Sequence, residues 1–73
     1  MKFYVEWKDA CDPFDEWIRD PTYKFKTFEK AVEHCVESLN TYNTLEHRIR
    51  VKRSSKGYVT IAKFLPLPDE DLI

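Results

Sequence analysis

Glycine is almost absent from this chain. Gly57 is the one glycine among 73 residues, which excludes the Gly-rich loops that cradle phosphates, because these need several positions without a Cβ. Long apolar runs are missing too. The N-terminal stretch Met1-Lys2-Phe3-Tyr4-Val5-Glu6-Trp7-Lys8 alternates polar and apolar residues, unlike the continuous apolar core of a signal peptide or a membrane span. A cytoplasmic protein is expected. Cysteine is scarce, with only Cys11 and Cys35. Cys35 falls on the apolar stripe of a predicted helix, as a small core residue would. Cys11 lies beside Asp12, whose charge raises a thiol pKa and makes a poorer nucleophile. In a reducing compartment these two thiols are not expected to pair.

The most informative absence is local. From His47 to Phe64 there is no carboxylate, while Arg48, Arg50, Lys52, Arg53, Lys56 and Lys63 all fall there. The whole chain nevertheless carries a formal charge of −1, so the remainder is correspondingly acidic. Asp9, Asp12, Asp15, Glu16 and Asp20 crowd one early stretch, and Asp69, Glu70 and Asp71 the tail. A molecule with two such sides can orient a charged partner.

A chain this short holds one small core, since it buries only about 60% of the surface its unfolded form exposes. Its composition, 42% hydrophobic and 34% charged, is that of a globular domain rather than a disordered one. Residues 1–65 read as a single α+β domain and residues 66–73 as an acidic C-terminal tail, with Leu65-Pro66-Leu67-Pro68 ending the fold because alternate prolines cannot continue an inner strand.

Along the chain, Lys2 to Lys8 predicts a strand with Phe3, Val5 and Trp7 on one face and Tyr4 and Glu6 on the other. A short helical insertion is expected next, with Asp12 as N-cap, Pro13 and Asp15 in its first turn, Phe14, Trp17 and Ile18 on one face, and Pro21 as its stop. Those three apolar residues suit either a cover for the end of the core or a partner anchor. Thr22 to Lys26 predicts a second strand pairing with the first. The main helix is expected from about Thr27, its N-cap, to Asn40, with Phe28, Ala31, Val32, Cys35, Val36 and Leu39 on its apolar face. Strands over His47 to Arg53 and Tyr58 to Leu65 follow, joined by a turn with Gly57 in the left-handed position.

That turn pairs Val51 with Ile61 and Arg53 with Val59. The expected architecture is a two-layer α+β fold: a mostly antiparallel sheet of three to four strands, one main helix packed on one face, and the helical insertion after the first strand. The core would unite Phe3, Val5, Trp7, Phe28, Val32, Cys35, Val36, Leu39, Ile49, Val51, Val59 and Ile61. The open face would then carry Arg48, Arg50 and Lys52 with Tyr4, Tyr58, Thr60, Ala62 and Phe64. A slip of one residue would reverse this assignment on the last strand.

Catalytic and metal chemistry find little support. Ser38, Ser54 and Ser55 have no sequence-evident base, and Glu29, Glu33 and Glu37 form a solvated helical flank. His34 and Cys35 are adjacent, about 100° apart on a helix, which spoils joint ligation. His34 reads as an exposed helical histidine and His47 as the start of a strand. No enzyme, cofactor or metal site is expected. The partner-binding candidates are Arg48, Arg50, Lys52, Lys56, Tyr58 and Phe64, facing a protein with an acidic surface. The alternative is a single-stranded nucleic acid, with cations on phosphates and rings stacked on bases. The layout of an N-terminal strand, a helix beginning Thr-Phe-Glu-Lys-Ala and a closing hairpin resembles many short accessory and phage-encoded proteins. The small size and the missing chemistry fit an inhibitor or accessory regulator.

Overall fold

The elements follow along the chain as β1 (Phe3–Asp9), β2 (Ile18–Phe25), α1 (Phe28–Thr41), β3 (Leu45–Lys52) and β4 (Tyr58–Phe64). The computed structural model describes residues 2–11, 14, 16–53 and 57–66. The strands form one sheet in the order β2-β1-β3-β4 with every neighbouring pair antiparallel. The chain leaves β2, passes through α1 and returns on the far side of β1 as β3, which lays the helix across one face of the sheet. This is the expected two-layer α+β architecture.

The helix begins where the sequence says it should. Thr27 is extended, and its side-chain oxygen accepts from the Lys30 amide at 3.2 Å, satisfying one of the free N–H groups of the first turn. Glu29 adds negative charge at the positive end of the helix dipole. At the other end the Tyr42 amide donates to the Ser38 carbonyl at 2.7 Å, and the Leu45 amide donates to the Tyr42 carbonyl at 3.2 Å, so the chain turns directly into β3.

Beneath the helix, Val5, Ala31, Cys35 and Ile49 are fully buried, with Phe3, Tyr23, Phe25, Val32, Ala62 and Phe64 packed around them. Burial of this kind contributes about 1.5–3 kcal/mol for a side chain such as Ile49. Burial also pushes the Cys35 thiol up to about 12, as befits an inert core residue. Both cysteines are free, Cys11 exposed and Cys35 buried.

Three expectations are corrected. First, Ile18, Arg19 and Asp20 are strand, not helix, and Phe14 is 80% exposed rather than covering the core. The residues expected to cap the insertion, Asp12, Pro13 and Asp15, lie outside the described ones. Pro21 stops no helix. It sits within an edge strand, in the stretch where pairing with β1 jumps from Tyr4↔Lys24 to Glu6↔Arg19, a place that tolerates a residue without an N–H. There the Thr22 amide and hydroxyl both donate to the Asp20 carboxylate, at 2.9 and 2.7 Å, which turns the strand locally.

Second, Val51 pairs with Val59 and Lys52 with Tyr58, two residues away from the expected register. Gly57 does take the left-handed conformation, with φ of 81°, but Ser54, Ser55 and Lys56 lie outside the described residues. Further along, the pairing shifts between Ile49 and Arg50, so that Ala62 lies opposite Ile49 and Phe64 opposite His47. This irregularity inserts one extra residue and reverses the faces beyond it. Ala62 and Phe64 therefore pack toward the helix, and Ile61 is 44% exposed.

Third, the helix is turned about its axis relative to its apolar stripe. Ala31 and Cys35 are buried, but Val36 is 46% exposed. His34 packs on Tyr23 and Phe25, with ring centroids 4.4 and 5.3 Å apart, instead of standing free in solvent. His47 is fully buried, in phase with Ile49 and Val51, and its Nε2 lies 2.8 Å from the Ser38 hydroxyl on the helix.

Candidate functional site

On the face away from the helix, residues opposite one another on neighbouring strands share a side. Tyr4 lies opposite Lys24 and Arg50, Glu6 opposite Arg19 and Arg48, Lys8 opposite Glu46, and Tyr58 opposite Lys52. Lys63 lies opposite Arg48. Cations thus outnumber carboxylates here, and Glu6 is the central acid.

Glu6 is only 4% exposed. Its Oε1 accepts from Arg48 Nε at 2.7 Å, with Arg48 Nη2 2.6 Å away in the same ion pair, while its Oε2 accepts from Arg19 through Nε at 2.7 Å and also through Nη2. Arg50 Nη1 stands farther off, 3.8 Å from Oε1. Burial by itself pushes the carboxyl pKa of Glu6 up. The hydrogen bonds and charges of Arg19 and Arg48 outweigh it and hold the group below its ordinary value. Glu6 is therefore the residue that assembles this face.

Aromatic rings cover the guanidiniums. Arg19 lies 3.9 Å from the centroid of Tyr58 and 5.4 Å from that of Tyr4, and Arg48 lies 4.1 Å from that of Trp17. Tyr4 and Tyr58 meet edge to face at 5.4 Å. Lys8 pairs with Glu46 at 3.5 Å and approaches the Trp17 ring at 5.0 Å. The result is a second packed layer of long amphipathic side chains, stabilised by charge-assisted hydrogen bonds and cation–π contacts.

Of the sequence-derived candidates, Arg48, Arg50 and Tyr58 come together in this layer, and Lys52 stands exposed at its margin. Phe64 does not belong to it, because the shift in β4 turns it toward the core. Lys56 lies outside the described residues. Arg19 was not anticipated, since its place depends on β2 beginning before Pro21, and Trp17, expected on a helical face as core cover or partner anchor, lies against Arg48 instead. Arg50 Nη2 donates to the Tyr58 carbonyl at 2.8 Å, while its Nε is buried without a hydrogen-bond partner among the described residues.

On the helix side, Ser38 and His47 form a hydroxyl–imidazole pair. Desolvation pushes the His47 pKa down, and the charge of His34 adds to that, while the Leu45 backbone works the other way. Nδ1 completes no hydrogen bond among the described residues. Among the described residues no three His, Cys, Asp or Glu side chains gather as a metal site would require, and no helix is long and apolar enough to cross a membrane. No protein-family model, curated protein or solved structure matches this chain.

Proposed function

We propose that this chain is a non-enzymatic protein-binding module of the cytoplasm, an inhibitor or accessory regulator that occupies an acidic surface of its partner with the open sheet face. The Glu6-centred cluster is the observation that carries this reading. Arginine, tyrosine and tryptophan are the residues that dominate interface energetics, and here Arg19, Arg48, Tyr4, Tyr58 and Trp17 are held in fixed positions by one buried carboxylate. Ordering such side chains before binding removes much of the entropic cost of association. Lys24, Lys52 and Lys63, exposed around the cluster, suit a rim that steers an acidic surface into place.

The same geometry weakens the nucleic-acid alternative. A base would need an open ring, yet Arg19 already covers Tyr58 at 3.9 Å and Arg48 covers Trp17 at 4.1 Å. The test reverses charge at the rim and leaves the cluster intact. In cross-linking from host lysate followed by mass spectrometry, wild-type protein should capture one specific partner. Lys52→Glu with Lys63→Glu should lose that partner, and compensating charge changes on it should restore the complex. Labelled oligonucleotides should show no anisotropy change at low salt. Binding whose salt slope falls by about 0.7 for each lysine reversed would instead identify phosphate contacts to a single strand.

A further inference from the structure

A separate cavity opens on the helix side of the sheet. Trp7, Tyr23, His34, Ser38, Tyr42 and Leu45 line a pocket of about 380 Å³, within the ordinary range of roughly 300–1,000 Å³ for small-ligand sites. Three of these residues carry electron-rich rings, and none is lysine or arginine. Their placement is set by the fold. Trp7 lies in β1 opposite Ile18 and His47, Tyr23 is braced by the His34 ring at 4.4 Å, and Tyr42 is fastened by backbone hydrogen bonds to Ser38 and Leu45.

Ser38 and Tyr42 also mark the C-terminal end of α1, whose last turn has no basic residue. The negative end of the helix dipole is therefore not offset by a cation of its own last turn. Behind Ser38, His47 is fully buried and disfavours a proton.

From this constellation we propose that the pocket binds an N-alkylated ammonium group, of the kind carried by choline-type molecules and by methylated lysine side chains. An anion would meet aromatic rings and a negative helix end, with no lysine or arginine in the lining to receive it. A bare ammonium is strongly hydrated and would find few acceptors beyond the Ser38 hydroxyl. Alkylation weakens that hydration and brings methyl groups against the rings of Trp7, Tyr23 and Tyr42 that line the pocket, whose quadrupoles attract the charge. This site is independent of the open sheet face and stands whether or not that face binds a protein.

An NMR titration of the full chain with choline, run beside its uncharged isostere 3,3-dimethyl-1-butanol, makes charge the variable. Choline should shift the Trp7 indole and the Ser38 and Tyr42 amides, and the isostere should bind about tenfold more weakly, as expected for partly desolvated cation–π contacts. Tyr42 is 60% exposed, so its substitution should leave the fold intact, as unchanged core amide shifts would verify. Tyr42→Phe should keep binding, and Tyr42→Leu should weaken it by about fivefold. A peptide bearing trimethyl-lysine separates the two sources: tighter binding than choline assigns the site to a modified protein, and equal or weaker binding to a free small molecule. Equal affinity for choline and its isostere, shifts confined to the open face, or no shifts at all would overturn the proposal.

Discussion

On the helix side of β1, Val5 is fully buried among Ala31, Cys35 and Ile49. One residue on, Glu6 is buried almost as deeply beneath Arg19, Arg48 and their covering rings. The first layer is held by apolar area, which is indifferent to direction. The second is held by hydrogen bonds and ring contacts that work only in one geometry. The difference teaches how a domain with one helix covers two faces: where no second helix is available, side chains long enough to lie flat on the sheet take its place. It also teaches that the two layers should fail differently when damaged.

The largest effect should come from the apolar layer. Ile49→Ala should lose about 4 kcal/mol in urea unfolding, from lost transfer energy and the cavity left behind. Glu6→Ala should lose about 3 kcal/mol, because it leaves Arg19 and Arg48 facing each other without their shared acid. A Glu6→Ala loss below that expected for a surface substitution would mean that the second layer is ornament. pH separates the layers again. Because the folded pKa of Glu6 is depressed, its contribution is complete above the unfolded value of about 4.5 and disappears as pH falls through the folded value. His47 is also depressed, from 6.5. The unfolded chain therefore takes up a proton that the folded chain refuses, and stability should begin to fall below about pH 6.5. His47→Gln should remove the upper stage of acid unfolding and Glu6→Ala the lower one, as followed by circular dichroism.

Smaller effects sharpen the contrast. Trp17→Ala, which uncovers Arg48 without touching its hydrogen bonds to Glu6, should cost about 0.5–1 kcal/mol. Val36→Ser should change stability by no more than about 0.5 kcal/mol, although its helical spacing matches that of Cys35, because this side chain meets solvent.

The helix and its cap were legible because Thr27 and the recurrence of apolar residues act locally. β1 and β3 were legible from alternation, which also carried a signal for His47: it is in phase with Ile49 and Val51. The basic face was legible as charge, but its organisation was not. Glu6 was visible as an isolated acid, whereas its partner Arg19 lies in a segment whose proline read as a stop. The shift in β4 left no mark either. No glycine or proline flags it, and the reversal of Phe64 follows from pairing with β3 rather than from any local preference.

The bond between Glu6 and Arg48 spans 42 residues of sequence. β1 has to wait for β2, the helix and β3 before that carboxylate can be enclosed. Such a contact belongs to the late side of the folding barrier, since closing long loops precedes its reward. Replacing Glu6 should therefore quicken unfolding far more than it slows refolding in stopped-flow chevrons. The open face is a latch, closed last and governing how long the folded chain survives.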